Sequence, residues 1–411
     1  MKPIVLVFCR YYLPGYLAGG PIRSIANMVE RLSDSLDFRI VALDRDFGAE
    51  EPYADVRHDE WVPRGRALVL HVKLSRFSLA KVAEIVRATP HDVIYLNSFF
   101  DFRFTQQILI NRKLRRFEDQ PIVLAPRGEF SAGALQFKRV KKALFMRLAR
   151  WLGLYERLTW QASSVLEAAD IRRAVFGGSM SDQRLVVTGH VAAGPVRLEG
   201  GVSSLAAPAR AVDGPLRVCF LSRISPKKNL DYALRVLAEV RVPVRFTVYG
   251  PIEDESYWRE CLAQIAKLPS HIEVVHEGAL RPEAVLPALR GHDVFLFPTH
   301  GENFGHVIYE ALRAGLTLLI SDQTPWQRLE EQGVGWCLPL SDPAGFSRRL
   351  EQVASWTDEQ RQKTGIRART LAQSTGEDLD AIEANRNLFL DALSEYKRLN
   401  TKKRTEGIQR V

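Results

Sequence analysis

Two successive runs of the same alternation, short apolar stretch then helical pattern, most narrow the folds open to this chain. In the first half, apolar runs at Ile4–Cys9, Phe38–Leu43, Leu68–Val72, Val93–Leu96, Ile122–Ala125, Ser164–Glu167 and Leu185–Val187 read as buried strands. A helix is expected from Pro21, a residue suited to the first helical position, and others at Leu79–Ala88, Phe104–Phe117 and Lys138–Leu158. The second half repeats the scheme. Its strands are expected at Arg217–Leu221, Val244–Tyr249, Ile272–Val275, Val294–Phe297 and Thr317–Ile320. Its helices are expected at Asn229–Val240, Ser256–Lys267, Pro282–Leu289, Phe304–Arg313, Trp326–Gln332 and Pro343–Ser355. Strands alternating with helices build parallel sheets covered on both faces. Between the halves, His190–Pro215 is rich in Ala, Gly, Pro and Ser and loses periodicity, as a linker does. A chain of 411 residues is too long for one ordinary core. The expectation is therefore α/β: two doubly wound domains, 1–190 and 216–375, joined by 191–215, with two charged helices over Asp358–Leu399. Ligands of such sheets sit beyond the carboxyl ends of the strands, so a cleft between the domains is the expected site.

Composition removes several function classes. No apolar run reaches the roughly 18 residues that span a bilayer. Ile4–Cys9 is too short for a signal peptide. Cys9, Cys219, Cys261 and Cys337 are scattered without C-x-x-C spacing, which suits reduced thiols and a cytoplasmic setting. The nine histidines show no metal-ligand spacing, so no structural metal is expected. Net charge is +9, and Arg103–Trp160 alone, with 13 Lys/Arg against 4 Asp/Glu, accounts for that excess. Such charge meets nucleic acid, anionic membranes or anionic substrates. No nucleic-acid motif is present, so the latter two are the partners considered.

The densest chemistry lies in Asp293–Gly315, DVFLFPTHGENFGHVIYEALRAG. Val294–Phe297 reads as a strand that Pro298 ends, Thr299–Asn303 as a loop, and Phe304 onward as a helix. A helix N-terminus collects unpaired N–H groups and suits an anion. Glu302 in the loop and Glu310 in the helix supply acceptors for hydroxyl groups. Phosphate at the helix tip with hydroxyls on carboxylates is what a nucleotide-sugar requires. On spacing alone, a helix-end charge and a solvated helical residue explain the two acids better. Arg223 and Lys228 flank a turn after the first strand of the second half, where two cations can hold a diphosphate. Gly19-Gly20-Pro21 occupies the matching place in the first half, where glycine lets backbone amides approach a phosphate. Arg127 and Glu129, in Pro126-Arg127-Gly128-Glu129, follow another strand of that half. Asp44-Arg45-Asp46 has a metal-diphosphate spacing but reads better as an exposed turn.

Taken in order, these blocks resemble a group 1, or family 4, retaining glycosyltransferase of the two-Rossmann-domain (GT-B) type. PGYLAGGPIRSI is similar to that family's glycine loop, PRGEFSAGAL to its acceptor-side loop and FLSRISPKKNL to its diphosphate loop. GENFGHVIYEALRAG resembles its signature of two glutamates, and SDQTPWQRL and GVGWCLPLSDP resemble further blocks. The resemblance implies a nucleotide-diphosphate-sugar donor, a glycan or lipid-linked acceptor in surface polysaccharide synthesis, no cofactor and no metal. It implies that Glu302 contacts the donor sugar, Glu310 the ribose, and the Asn303-Phe304-Gly305 backbone the sugar and phosphate. Arg223 and Lys228 would hold the diphosphate, and Gly19 and Gly20 would close over it. Arg127 and Glu129 would lie on the acceptor side, Arg127 standing where many relatives carry His. The tail helix, 376–411, is implied to cross back to the first domain. Two rivals use the same residues: a nucleotide-sugar epimerase or hydrolase, and a non-catalytic nucleotide-sugar-binding subunit.

The segment Phe137–Trp160, FKRVKKALFMRLARWLGLYERLTW, carries Lys138, Arg139, Lys141, Lys142, Arg147, Arg150 and Arg157 against one acid, Glu156. Val140, Leu144, Trp151, Leu154, Tyr155 and Leu158 fall at helical spacing. A basic helix with an apolar face suits an anionic interface, which would place the protein peripherally on the inner membrane surface.

Overall fold

The computed structural model describes residues 2–131, 134–135, 139–176, 184–194 and 214–408. Most of the expected linker, and Phe137 and Lys138 of the basic segment, lie outside them. The chain divides into two compact units, Met1–Ala192 with Asp378–Val411, and Ala193–Glu377.

The first unit holds β1 (Ile4–Phe8), β2 (Asp37–Leu43), β3 (Trp61–Arg64), β4 (Ala67–Val72), β5 (Val93–Asn97), β6 (Ile122–Ala125), β7 (Leu158–Ala162) and β8 (Arg184–Val187). They form one sheet in the order β3-β4-β2-β1-β5-β6-β7-β8, parallel throughout except for β3. The central strands are buried along their length because helices cover both faces, which is why they read as continuous apolar runs. β3 escaped the sequence pattern. It is a short antiparallel edge strand carrying Pro63, and proline is tolerated at an edge, where its missing N–H breaks no ladder. The tail helix, Leu379–Ile408, seals one face of this sheet. Leu388, Phe389 and Ala392 join the core of β1, β2 and β5, and Phe389 meets the ring of Tyr95 edge-on at 5.1 Å.

Two first-half expectations are corrected. Ser164–Glu167 is not a strand; β7 precedes it, and Ser164 caps a helix, Val165–Ile171, its hydroxyl accepting from the Glu167 amide. The apolar pair that suggested a strand, Val165 and Leu166, is exposed. The helix expected over Lys138–Leu158 is Arg139–Trp151, and Leu158 already opens β7. Gly153 (φ 65°) and Arg157 (φ 55°) turn left-handed between them, which ends helical pairing.

The second unit holds β9 (Leu216–Leu221), β10 (Val244–Tyr249), β11 (Ile272–Gly278), β12 (Val294–Phe297), β13 (Thr317–Ser321) and β14 (Gly335–Leu338). All pair in parallel, in the order β11-β10-β9-β12-β13-β14. The expected helix Trp326–Gln332 is absent: Arg328 is left-handed (φ 57°), and the segment forms turns between β13 and β14.

Candidate functional site

The sheet of the second unit fans in two directions from its centre. β9 and β12 are neighbours; β10 and β11 extend one way, β13 and β14 the other. Helices leaving adjacent strands toward opposite faces open a crevice at such a reversal. The two loops bordering it are Ser222–Asn229 after β9 and Pro298–Gly305 after β12. They are tied together by main-chain acceptors. Asn229 Nδ2 donates to Pro298 O at 2.8 Å, the His300 amide to Lys227 O at 3.0 Å, and Thr299 Oγ1 to Lys227 O at 3.2 Å. Asn229 itself is left-handed (φ 62°), a conformation asparagine tolerates better than most residues, and so passes directly from the turn Pro226–Lys228 into the helix Leu230–Ala238.

This brings Lys228 onto Glu302. The ammonium and carboxylate form an ion pair with side chains only 12% and 13% exposed, and the ammonium also lies 5.6 Å from the centre of the Phe297 ring. The Thr299 hydroxyl stands 3.5 Å from the same carboxylate. Arg223 pairs with Glu253 at 2.6 Å, each about one-third exposed. Low exposure strengthens these charges toward any anion that enters. Downstream, Gly305 is left-handed (φ 79°), and a Cβ there would come within 2.8 Å of Ile308 Cδ1. It delays the helix to His306–Ala314, two residues later than expected. Glu302 donates its amide to Gln323 O at 3.1 Å, and Trp326 Nε1 donates to Phe304 O at 2.5 Å while its ring packs 5.4 Å from that of Phe304. Gln323 and Trp326, in the segment that follows β13, thus hold the backbone of Glu302 and Phe304. Glu310 lies half-buried one turn into the helix.

In the first unit, Gly19 (φ 69°) precedes the helix Gly20–Leu32, and a Cβ built on it would meet no atom within 4 Å. The loop before it is held by Asp46, whose carboxylate accepts from the amides of Tyr16 at 2.7 Å and Leu17 at 3.1 Å. Asp44 is fully buried against Arg45 Nε and His58 Nε2, each at 2.9 Å. Asp44 and Asp46 therefore have structural occupations, and the exposed turn read there is a buried one.

Arg127 (φ 56°) follows β6 and donates through Nε to Asn97 Oδ1 at 3.1 Å and through a terminal nitrogen to the Tyr95 hydroxyl at 2.6 Å. A buried relay continues: Tyr95 donates to Gln161 Oε1 at 2.5 Å, and Gln161 Nε2 donates to Asn385 Oδ1 at 2.7 Å on the tail helix. Burial pushes the Tyr95 phenol up, against the Arg127 charge, which keeps its proton available for donation. Glu129 turns inward. It accepts from Ser98 Oγ at 2.7 Å and from the amides of Phe99 and Phe100, and burial raises its carboxyl while these bonds partly offset the rise. Glu167 similarly accepts from the Gly128 amide at 2.6 Å. Sequence reading passed over Asn229, Thr299, Trp326, Gln161 and Asn385 as individual contributors. A polar residue inside an apolar strand, as in LTWQA at β7, was the available signal for Gln161.

Residues 205–371 match the model described as glycosyl transferases group 1. The match lies within the second unit and includes Arg223, Lys228, Glu302 and Glu310. A phosphatidyl-myo-inositol mannosyltransferase of Mycobacterium tuberculosis is 32% identical over 152 residues, covering 34% of this chain and 38% of the relative. The Mycobacterium bovis protein of the same name matches equally. Among solved structures, Anabaena HepE in complex with UDP and glucose superposes with a TM-score of 0.64 at 19% identity, over 96% of this chain and 100% of that one. A trehalose 6-phosphate synthase from Burkholderia multivorans gives 0.66 at 14% identity, over 98% of each. The fold is that of the GT-B glycosyltransferases: two doubly wound parallel-sheet domains.

Proposed function

We propose that this protein transfers a sugar, with retention at the anomeric carbon and without a metal, from a nucleotide-diphosphate-sugar to a hydroxyl of a lipid-linked glycan acceptor. The observation that carries the reading is the Lys228–Glu302 pair, which joins the loops after β9 and β12, with Arg223 on the same loop as Lys228. A departing diphosphate needs cations that are already in place and partly desolvated. Lys228 and Arg223 are those cations, and an incoming diphosphate draws them from Glu302 and Glu253. Glu302, so released, accepts from the donor sugar's hydroxyls, and Glu310 accepts from the ribose. The Asn303–Gly305 backbone and the helix N-terminus behind it hold sugar and phosphate. Arg127 takes the acceptor side, while Glu129 shapes it by holding the Ser98–Phe100 loop.

Membrane attachment through the Arg139–Trp151 helix completes the reading. Its exposed stripe is Val140, Leu144, Leu148 and Trp151, the last 80% exposed, while Leu154, Tyr155 and Leu158 belong to the core and not to this face. Exposed Lys141, Arg147 and Arg150 accompany the stripe. A helix of this kind lies in an anionic interface. The mycobacterial relative's name, with its phosphatidyl-myo-inositol acceptor, is consistent with a lipid substrate.

A thermal-shift screen against UDP-, GDP- and ADP-sugars tests the donor, since a ligand binding the native state raises Tm. Transfer to an added acceptor should follow, persist in excess EDTA and retain configuration. Donor hydrolysis or epimerisation with no acceptor product would replace this reading with its rivals. Flotation with anionic liposomes should fall with salt and on reversing Lys141 and Arg147; its absence would remove the membrane step.

A further inference from the structure

The first unit has a polar cavity, of about 570 Å³, that the proposed reaction does not use. It is walled by the end of the Gln107–Lys113 helix, the turn that leads into β7, and the tail helix through Tyr396. It therefore lies at the amino ends of β6 and β7, whereas Arg127 follows the carboxyl end of β6. Four cations line it, Arg112, Lys113, Arg115 and Arg157, against two carboxylates, Asp119 and Glu156. Asp119 is shared between Arg112, at 3.0 Å, and Arg157, and Glu156 faces Lys113 at 3.3 Å. Two positive charges remain in excess. Arg115 makes no ion pair among the described residues. Both Arg115 (φ 53°) and Arg157 (φ 55°) hold a left-handed backbone, which side chains with a Cβ disfavour, and both line this one cavity. Exposed Leu114 sits between two lining cations, and exposed Trp151 and Leu152 lead into lining Gly153.

We propose that this cavity is a binding site for a phosphate ester, its oxygens taken by Arg115, Arg157 and Lys113. The excess of two charges matches a phosphate monoester dianion or the close approach of a phosphodiester, and guanidinium groups bind phosphate with two parallel N–H bonds. The volume is that of a small-molecule site and exceeds what an inorganic ion fills. Because the tail helix forms one wall, with the Tyr396 hydroxyl donating to the Asp119 carbonyl, an occupant also fastens that helix to the sheet. The phosphate belongs either to a lipid headgroup beside Trp151 and Leu152 or to a free ester. The lipid source rests on the membrane attachment proposed above; the phosphate site itself does not.

Titration of glycerol phosphate and inorganic phosphate into the full-length protein, with vesicle flotation in parallel, tests this. Glycerol phosphate should bind saturably, at least tenfold more weakly to Arg115→Glu and Lys113→Glu, and unchanged to Arg87→Glu, an exposed control on another helix. If the same two variants lose flotation on phosphatidylglycerol vesicles, but not a residual association with phosphatidylcholine, the headgroup is the source. A response to glycerol phosphate with no such loss makes it a free ester. No saturable binding in either arm, or equal weakening by Arg87→Glu, overturns the site. The thermal shift by a nucleotide-sugar should persist in both variants, so failure of the donor reading and failure of this one are separately visible.

Discussion

The loops that follow the parallel strands of the two units handle polarity in opposite ways. In the second unit, Lys228 and Glu302 are full charges joined directly across two loops, close enough to solvent for a ligand to separate them. In the first, Arg127 is tethered through neutral, fully enclosed groups, Tyr95 and Gln161, to Asn385 on a helix more than 200 residues further along the chain. Charges kept at the mouth of a crevice can change partners during a reaction. Neutral groups buried in a sheet cannot exchange with water and are costly to leave unpaired, so they hold a geometry. The contrast separates a region built to rearrange from a region built to position.

Substitutions can break this contrast, beginning with the largest expected effect. Phe389→Ala removes a fully buried ring between β5 and the tail helix and should cost about 3–5 kcal/mol of stability, read by denaturant unfolding, while nucleotide affinity in the second unit holds. Equal loss of nucleotide binding would show that the units are not separable in this sense. Lys228→Ala should lower the transfer rate about 10²–10³-fold, the range for deleting one charge-stabilising donor, with a smaller change in Tm. Parental turnover would dissolve the leaving-group role. Glu310→Ala should weaken donor binding by about 1.5–3 kcal/mol in calorimetry, the cost of a lost hydrogen bond to a charged group. Asn385→Ala leaves Gln161 short of a buried partner and should cost about 1–3 kcal/mol of stability; if Arg127 is positioned by the relay, it should also raise the acceptor KM while sparing the donor KM. The smallest effect concerns pH. Burial raises the Asp44 carboxyl, but the bonds to Arg45 and His58 outweigh it and hold the group below its ordinary value. Its stabilisation is complete above the unfolded value near pH ~3.9 and is lost as pH falls through the lower folded value. Asp44→Asn should flatten that acid limb of the stability curve.

Much of the fold was legible because parallel strands covered on both faces must be apolar along their whole length. Val294–Phe297 and Ile122–Ala125 were read with the bounds the structure gives them. The short strands β3 and β14 were not legible: β3 carries Pro63, and β14 opens on Gly335, whose positive φ and close approach to the Leu318 carbonyl admit glycine and break the apolar pattern. The Val165-Leu166 pair misled because apolar residues outside the core obey no burial rule. For the candidate site, Glu302, Lys228 and Arg223 were named from local blocks, yet nothing local joined them. Lys228 and Glu302 are 74 residues apart and meet because β9 and β12 are neighbours.

The sequence by itself determined the periodicities, and through them the class of fold, the strand ends and the residue types gathered at those ends. It could do so because hydrophobic spacing and the backbone demands of proline and glycine act within a few residues. Tertiary structure alone decided which strand ends became neighbours, that Glu129 turns inward while Arg127 is held by a distant helix, and that Trp151 faces solvent while Leu154, three residues on, is buried in the core. Those outcomes depend on strand order and on the left-handed turns at Gly153 and Arg157. Local spacing does not encode them, because they are set by what the rest of the chain packs against.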